Sequence, residues 1–344
     1  MVELGLDTFG DVTNGADGQP LPHDQVLRNV VAEAVLADQL NIDFIGVGEH
    51  HRADFAVSSP ETVLAAIASV TNRIRLGSAV TVLSSDDPVR VFQRFSTLNA
   101  LSNGRAEVIL GRGSFTESFP LFGFDLNAYE LLFEDKLDLF ATLLKGGPVD
   151  WQGRTRPPLK VGGVYPALAQ PLAAWIGVGG SPESVIRAVR HDLPMMLAII
   201  GGDPRRFRPF VDLYHRAWAQ IGKPAKPLGV HSHGFVAATD EEAIETAWPY
   251  HKAMFDKIGG ERGWPPTTRD HYLSEVRGGS QYVGSPETVA RRIADTARAL
   301  GIQRFDMKYS MGAMPHDVMM RSIELYGTKV IPMVRDILAT DKAA

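Results

Sequence analysis

Short β-branched and apolar runs alternate along this chain with longer segments whose apolar residues recur every three or four positions. Residues 2–9, 43–48, 73–83 and 105–110 belong to the first kind and predict strands. Residues 25–40 belong to the second, with Val26, Val30, Ala34 and Ala37 on the single buried face of a helix. Two more helices mark their own starts. Pro60 follows Ser59 and Pro88 follows Asp87: an oxygen that can accept a free backbone N–H precedes a ring that has none to leave unpaired. Helices are therefore predicted over 60–70 and 88–101.

The rhythm continues less regularly through the second half. Strands are predicted over 173–178, 195–200, 229–238 and 304–309, with helices beginning near Ser181, Asp203, Asp240 and Ser285 and a last one over 316–338. Strand–helix units in this number, each needing a right-handed crossover, predict an α/β fold in the form of a parallel (βα)8 barrel, a TIM barrel with helices outside. A doubly wound open sheet is the runner-up. No Ser/Gly linker separates the halves, so residues 1–344 are expected to form one domain. Residues 111–127 and 259–282 are too long for simple turns, and insertions of that length form lids or subunit contacts.

Composition removes several classes of function. A net charge of -5 with the two signs interleaved offers no basic face to nucleic acid or to an anionic membrane. With 0 Cys there is no disulfide framework, thiolate metal site or cysteine nucleophile. No apolar run approaches the roughly 20 residues of a membrane span. The first strand begins at Val2, which leaves no room for a signal peptide, so a cytoplasmic location is expected.

Candidate chemistry gathers at strand ends, where α/β proteins bind ligands. Glu49-His50-His51 follows the second strand. An imidazole there can exchange a proton near neutral pH, and a neighbouring carboxylate can fix its tautomer and raise its basicity. Gly180-Ser181-Pro182-Glu183-Ser184-Val185 recurs as Gly284-Ser285-Pro286-Glu287-Thr288-Val289, each opening an amphipathic helix. Capping explains both copies, but the first follows Ile176-Gly177-Val178-Gly179, whose glycines let a ligand approach the backbone at a helix N-terminus. The first copy is read as a phosphate site and the second as a cap. Gly111-Arg112-Gly113-Ser114 follows the fourth strand, and Arg112 can fork two oxygens of an anion. Since fourth and fifth strands are neighbours in a barrel, Arg112, Ser181 and Ser184 are expected to converge.

Other groups carry less. His231-Ser232-His233 puts two imidazoles on one strand face, but no third ligand stands at helpful spacing, so no metal is expected. Asp86-Asp87 reads as a cap pair. Trp151, Trp175, Phe115, Phe119, Phe122 and Phe124 either wall a substrate pocket or pack an insertion.

Glu49-His50-His51, Arg73-Ile74-Arg75-Leu76-Gly77-Ser78-Ala79-Val80, Asp87-Pro88-Val89-Arg90, Leu98-Asn99-Ala100-Leu101-Ser102-Asn103-Gly104-Arg105 and Gly111-Arg112-Gly113 stand in a telling order. With Gly179-Gly180-Ser181-Pro182-Glu183-Ser184 and Leu193-Pro194-Met195-Met196, this set resembles the bacterial luciferase-like monooxygenases over nearly the whole chain. It is most similar to the branch described only as luciferase-like, flavin-dependent oxidoreductases, which implies no particular substrate.

The resemblance implies a luciferase-like (βα)8 barrel using reduced FMN and dioxygen to oxygenate a small organic molecule. A separate flavin reductase or NAD(P)H would supply electrons. Arg112, Ser181 and Ser184 would hold the phosphate, with Ser114, Gly179 and Gly180 beside it. Ala79 and Val80, joined by a non-prolyl cis peptide, would lie under the flavin ring, and His50, with Glu49, would manage protons near its reactive edge. Pairing into a homodimer or dimer of dimers through residues 60–70 and 88–101 is expected. Luciferase has Glu where this chain has Gly180, and Arg in the insertion where this chain reads Asn127-Ala128-Tyr129-Glu130. Part of the phosphate shell is therefore altered or supplied elsewhere, which leaves a deazaflavin dehydrogenase or reductase as the alternative, and a non-catalytic flavin-binding barrel as a third reading.

Overall fold

A computed structural model describes residues 2–340; the outermost residues of the expected 1–344 domain lie outside that range. Eight parallel strands close on themselves: β1 (Glu3–Thr8), β2 (Phe44–Val47), β3 (Arg75–Ser78), β4 (Ala106–Gly111), β5 (Ala173–Val178), β6 (Met195–Ala198), β7 (Leu228–Val236) and β8 (Arg304–Lys308). Each pairs with the next in sequence, and β8 returns to β1 with Glu3 opposite Arg304 and Asp7 opposite Lys308. Closure excludes the open sheet.

The outer layer begins with α1 (His23–Gln39), α2 (Pro60–Val70) and α3 (Pro88–Leu101). Asp87 caps α3 by accepting from Val89 N at 2.9 Å, whereas Ser59 makes no side-chain cap bond. Between β4 and β5 lie α4 (Tyr129–Leu143) and a small hairpin of Val149–Trp151 with Leu159–Val161, neither read from the sequence. Helix α4 starts at Ala128 without a side-chain cap and carries a charge on its buried face, Lys136, whose Nζ reaches Ser84 O at 2.7 Å. Next come α5 (Pro182–Arg190), α6 (Arg208–Gln220) and α7 (Asp240–Glu261). Helix α7 runs through Gly259 and Gly260 into the expected insertion; the left-handed residue is Gly263 (φ 71°), and Trp264 N closes the last turn on Gly259 O at 2.8 Å. The expected insertion 259–282 also contains a helix, α8 (Arg269–Gly278), capped by Thr268. The order ends with α9 (Pro286–Leu300) and α10 (His316–Leu325), which runs on through a π turn. Among the described residues no helix is long and apolar enough to cross a membrane.

Inside the barrel the two-residue strand period decides what the mouth presents. Phe44, Ile109, Trp175 and Met196 form an apolar plug deep in the barrel. Arg304 lies against it, its guanidinium 3.4 Å over the Phe44 ring and bonded to Glu107 at 2.7 Å and Asp306 at 2.9 Å. Further along β8, Asp306 and Lys308 face the mouth, as do Asp7 on β1 and His231 and His233 on β7. The third strand breaks after Ser78 at a cis Ala79–Val80 peptide, as the family resemblance implied, and resumes over Thr81–Val82.

Candidate functional site

At the carboxyl ends of the strands opens a cavity of about 360 Å³. Its two halves differ. The β3–β5 side presents Ala79, Val80, Gly111, Gly177 and Gly179. A Cβ on Gly111 would fall 2.5 Å from a Val80 methyl, and one on Gly177 3.2 Å from the other, so glycine is what lets Val80 lie over both strands. A Cβ on Gly179 would meet nothing within 4 Å, so its backbone is open to whatever enters. This half makes a smooth, apolar floor suited to a flat ring. The opposite half, β7, β8 and β1, carries Asp7, His231, His233, Asp306 and Lys308.

The sequence motif places His50 and Glu49 in the wall, but they do not serve each other. Glu49, buried, accepts from Val82 N at 3.0 Å and pairs with His51 Nε2 at 2.8 Å. His50 has no side-chain hydrogen bond among the described residues; the rings of Phe55, Phe9 and Phe115 surround it at 4.5, 4.7 and 4.9 Å. Burial drives its pKa down to about 3, with Lys308, His51 and Arg52 adding to the fall against Asp11. His50 is a neutral imidazole at any ordinary pH. The expected rise in basicity from a neighbouring carboxylate instead belongs to His231. Its Nδ1 lies 2.6 Å from Asp7 Oδ2; burial opposes its charge, but Asp7 outweighs burial and the pKa is raised. His233 next to it is neutral, held well below the usual histidine range by burial and then by Lys308. Among the described residues, no group of three or more His, Asp or Glu is placed to hold a metal ion.

The expected anion residues meet through one that sequence reasoning missed. Ser181 caps α5, accepting from Ser184 N at 3.3 Å, and its Oγ lies 2.9 Å from Ser184 Oγ. Arg187, one turn on and buried, donates through Nη1 to Ser184 Oγ at 3.1 Å, and through Nη2 to Glu130 Oε2 at 3.1 Å. The other oxygen of Glu130 pairs with Arg112. The cavity reaches Arg112, Ser114 and Gly179; Gly180 (φ 104°) turns the chain into α5, and Ser181 and Ser184 stand just beyond. Two guanidiniums, two hydroxyls and a helix N-terminus form a donor set that fits a phosphate ester. Glu130 already seats a carboxylate between the guanidiniums. Arg187 puts a cation beside these residues where Asn127-Ala128-Tyr129-Glu130 offers none, and its only sequence signal is its place three residues after Ser184 on the same helix face.

Both insertions roof the cavity. Phe115 and Ser118 come from the first, Arg262 and Trp264 from the second, with Met254 and Phe255 from α7. Of the candidate aromatics, Phe115 is thus the one that walls the site above the plug. Arg52, directly after the two histidines, ties the pieces: Nη1 donates to Glu117 at 2.6 Å and to Glu261 at 2.7 Å, and its guanidinium sits 4.8 Å over the Phe115 ring. Lys257 pairs with Asp54 in the same latch, and Arg262 donates to Ser114 O at 3.2 Å. The carboxylates are solvated, so the latch is a weak one. Arg52→Ala should accelerate hydrogen exchange of residues 114–124 and 258–264 about fivefold. Unchanged exchange would mean that the apolar contacts alone hold the roof.

Fold and cavity together define a (βα)8 barrel with two arginines, two serines and a helix N-terminus gathered at the ends of its fourth and fifth strands. The family model of luciferase-like monooxygenases matches residues 7–304, and the chain belongs to that family. It is 25% identical over 336 residues to the uncharacterized protein y4vJ of Sinorhizobium fredii, covering 92% of this chain and 94% of that one. It is 22% identical to the alkanal monooxygenase alpha chain of Photobacterium leiognathi, with 91% and 95% covered. Among solved structures, monooxygenase RslO1 from Streptomyces bottropensis superposes with a TM-score of 0.82 at 21% identity, over 96% of this chain and 99% of that one. The oxygenating constituent of 3,6-diketocamphane monooxygenase from Pseudomonas putida, in complex with FMN, gives 0.77 at 18%, covering 97% and 99%. An F420-dependent secondary alcohol dehydrogenase gives 0.74 at 16%, also covering 97% and 99%. The shared feature is the barrel.

Proposed function

We propose that this protein is an FMN-dependent monooxygenase that oxidises a small, largely apolar organic molecule in the cavity between the strand ends and the roof. The observation that carries the reading is the cradle of Arg112, Arg187, Ser181 and Ser184 beside the apolar floor of Ala79 and Val80. Phosphate would be held by the first group and the ring by the second, with Glu130 giving way to the incoming anion. Bound reduced flavin would supply the electrons with which dioxygen is activated. The protein's own part is orientation, exclusion of water by the roof, and proton handling. His50, neutral, offers a hydrogen bond without a charge; His231, braced by Asp7 at Nδ1, takes or gives a proton at Nε2. Electrons would come from a separate reductase or from NAD(P)H. Assembly as a dimer through α2 and α3 belongs to the same proposal, supported by the exposed Val70 and Leu101 at their ends.

Fluorescence titration with FMN and with riboflavin tests the cradle. Arg112→Ala should weaken FMN binding by about 1.5–3 kcal/mol, the worth of a charge-assisted hydrogen bond, and leave riboflavin unaffected. Equal losses for both flavins would mean that the anion is held elsewhere. The F420-dependent dehydrogenase shares the barrel. Turnover without oxygen, using only a deazaflavin, would replace the monooxygenase reading with hydride transfer.

A further inference from the structure

Around the polar half of the cavity, most hydrogen-bonding capacity is already used within the protein. Lys308 Nζ is bound by Asp11 at 3.1 Å and by Ser310 O at 2.6 Å; Asp306 holds Arg304; Glu49 holds His51 and the Val82 amide. His231 differs. Its Nδ1 faces Asp7 at 2.6 Å, while Nε2, on a ring that lines the cavity, has no partner among the described residues. In the neutral ring, the proton on Nδ1 goes to Asp7, and Nε2 is left as a hydrogen-bond acceptor.

We propose that His231 Nε2 is the docking point and base for an acidic hydroxyl, a phenol or enol, carried on an otherwise apolar substrate. This deepens the monooxygenase reading and rests on it for the oxidation of the docked molecule. An acceptor selects a donor, which favours a hydroxyl over a carbonyl. The surrounding rings of Phe9, Phe55, Phe115 and Phe255 suit an aromatic or otherwise flat apolar body. On docking, the O–H bond breaks and its proton passes to Nε2, leaving an imidazolium whose Nδ1–H stays on Asp7 and an oxyanion facing that cation. Net charge in the cavity does not change. The bound molecule becomes an electron-rich phenolate or enolate, the form most readily oxidised.

The charged and titratable neighbours allow this. Asp7 on β1 and Asp306 on β8 favour the imidazolium, and Lys308 on β8 opposes it but is neutralised by Asp11; His233, on the same strand as His231, stays neutral, and β6 presents only the uncharged Met196 and Ala198. Asp7 is buried and its Oδ1 has no hydrogen bond, so its charge is directed at His231 rather than shared with other donors.

4-Nitrophenol reads the step directly, because its ionised form is yellow. Titrated into the FMN-supplemented protein one pH unit below its own pKa, where most of the free probe is colourless, it should bind as the yellow anion paired with the His231 imidazolium, whichever of the two brought the proton. 4-Nitroanisole, which lacks the hydroxyl, should bind at least about tenfold more weakly, the cost of the missing hydrogen bond. His231→Gln should bind nitrophenol without colour, and Asp7→Asn should cut the yellow fraction about tenfold or more. The anisole comparison needs no variant, so it stands even where a substitution disturbs folding. Colourless binding by the wild type, equal affinity for the anisole, full colour in His231→Gln, or no binding at millimolar probe overturns the proposal. FMN titration of the same samples separates the two readings. Yellow binding without any flavin binding keeps this inference and removes the monooxygenase; flavin binding with colourless or absent nitrophenol does the reverse.

Discussion

Arg304→Ala is expected to destabilise the folded protein by about 3–5 kcal/mol, the cost of stranding buried carboxylates whose counter-ion is gone. Arg304 is fully buried and ties β8 to β4 and β2: it donates to Glu107 at 2.7 Å and Asp306 at 2.9 Å, and stacks on Phe44. Glu107 keeps Arg75 at 2.9 Å and the Trp175 indole at 3.0 Å, so it is the less exposed to loss. Asp306 has no such reserve. Burial, set against Arg304 and aided by Asp7 and Glu107, pushes its pKa up to about 7 in the folded protein.

The sign of the pH dependence is set by that carboxyl. A folded pKa above the unfolded one means that the folded state binds more protons, so Asp306 costs stability progressively as pH rises from the unfolded value through about 7. At pH 5.5 it is largely protonated even beside Arg304, and removing the arginine leaves a neutral group. At pH 8 it is an anion that loses its partner. Urea denaturation should therefore give the full penalty for Arg304→Ala at the higher pH and a smaller one at the lower. Arg304→Ala combined with Asp306→Asn should recover part of it, because no stranded anion remains at that position. A penalty below about 1 kcal/mol at both pH values would show that the cluster is not coupled to folding.

This cluster also shows where sequence reading stops. The eight strands and the cores of α1, α2 and α3 were legible because their apolar period is local, and Pro60 and Pro88 fall at the first position of the structural helices. Glu49, His50, Arg112 and Gly179 were legible as residues at strand ends, Ala79 and Val80 only through the family resemblance, and all six line one cavity. Their partners were not. Asp7 is 224 residues from His231, and Glu107 is 197 from Arg304; each is an ordinary strand residue until the barrel closes β8 on β1. Local adjacency even misled, since Glu49 stands next to His50 in sequence but bonds His51 and the Val82 amide. All three side chains line the cavity, but the intervening imidazole packs among phenylalanines instead of meeting the carboxylate. Helix α4 escapes for another reason: it lacks a capping side chain and buries Lys136 on its apolar face, so its boundary signals are weak although its period is helical.

His50→Ala is expected to lower substrate oxidation about 10²–10³-fold, the typical loss when one preorganised neutral hydrogen-bond donor is removed from a dry site. FMN affinity should stay unchanged, because the cradle lies on β4, β5 and α5 while His50 follows β2. Since burial holds the His50 pKa near 3, the imidazole is neutral from pH 5 to pH 9, and its loss should lower the rate evenly across that range without moving either limb of the pH profile. His50→Gln, which keeps a neutral N–H, should retain more activity than the alanine variant. Oxygen uptake supported by reduced flavin should continue in both, with hydrogen peroxide released in place of product, and an oxygen electrode with a peroxide assay measures the ratio. A shift of the acidic limb in His50→Ala would contradict the assignment: it would mean that His50 carries a titrating proton, that its phenylalanine cage opens during turnover, and that His231 with Asp7 is not the group that handles protons in this cavity.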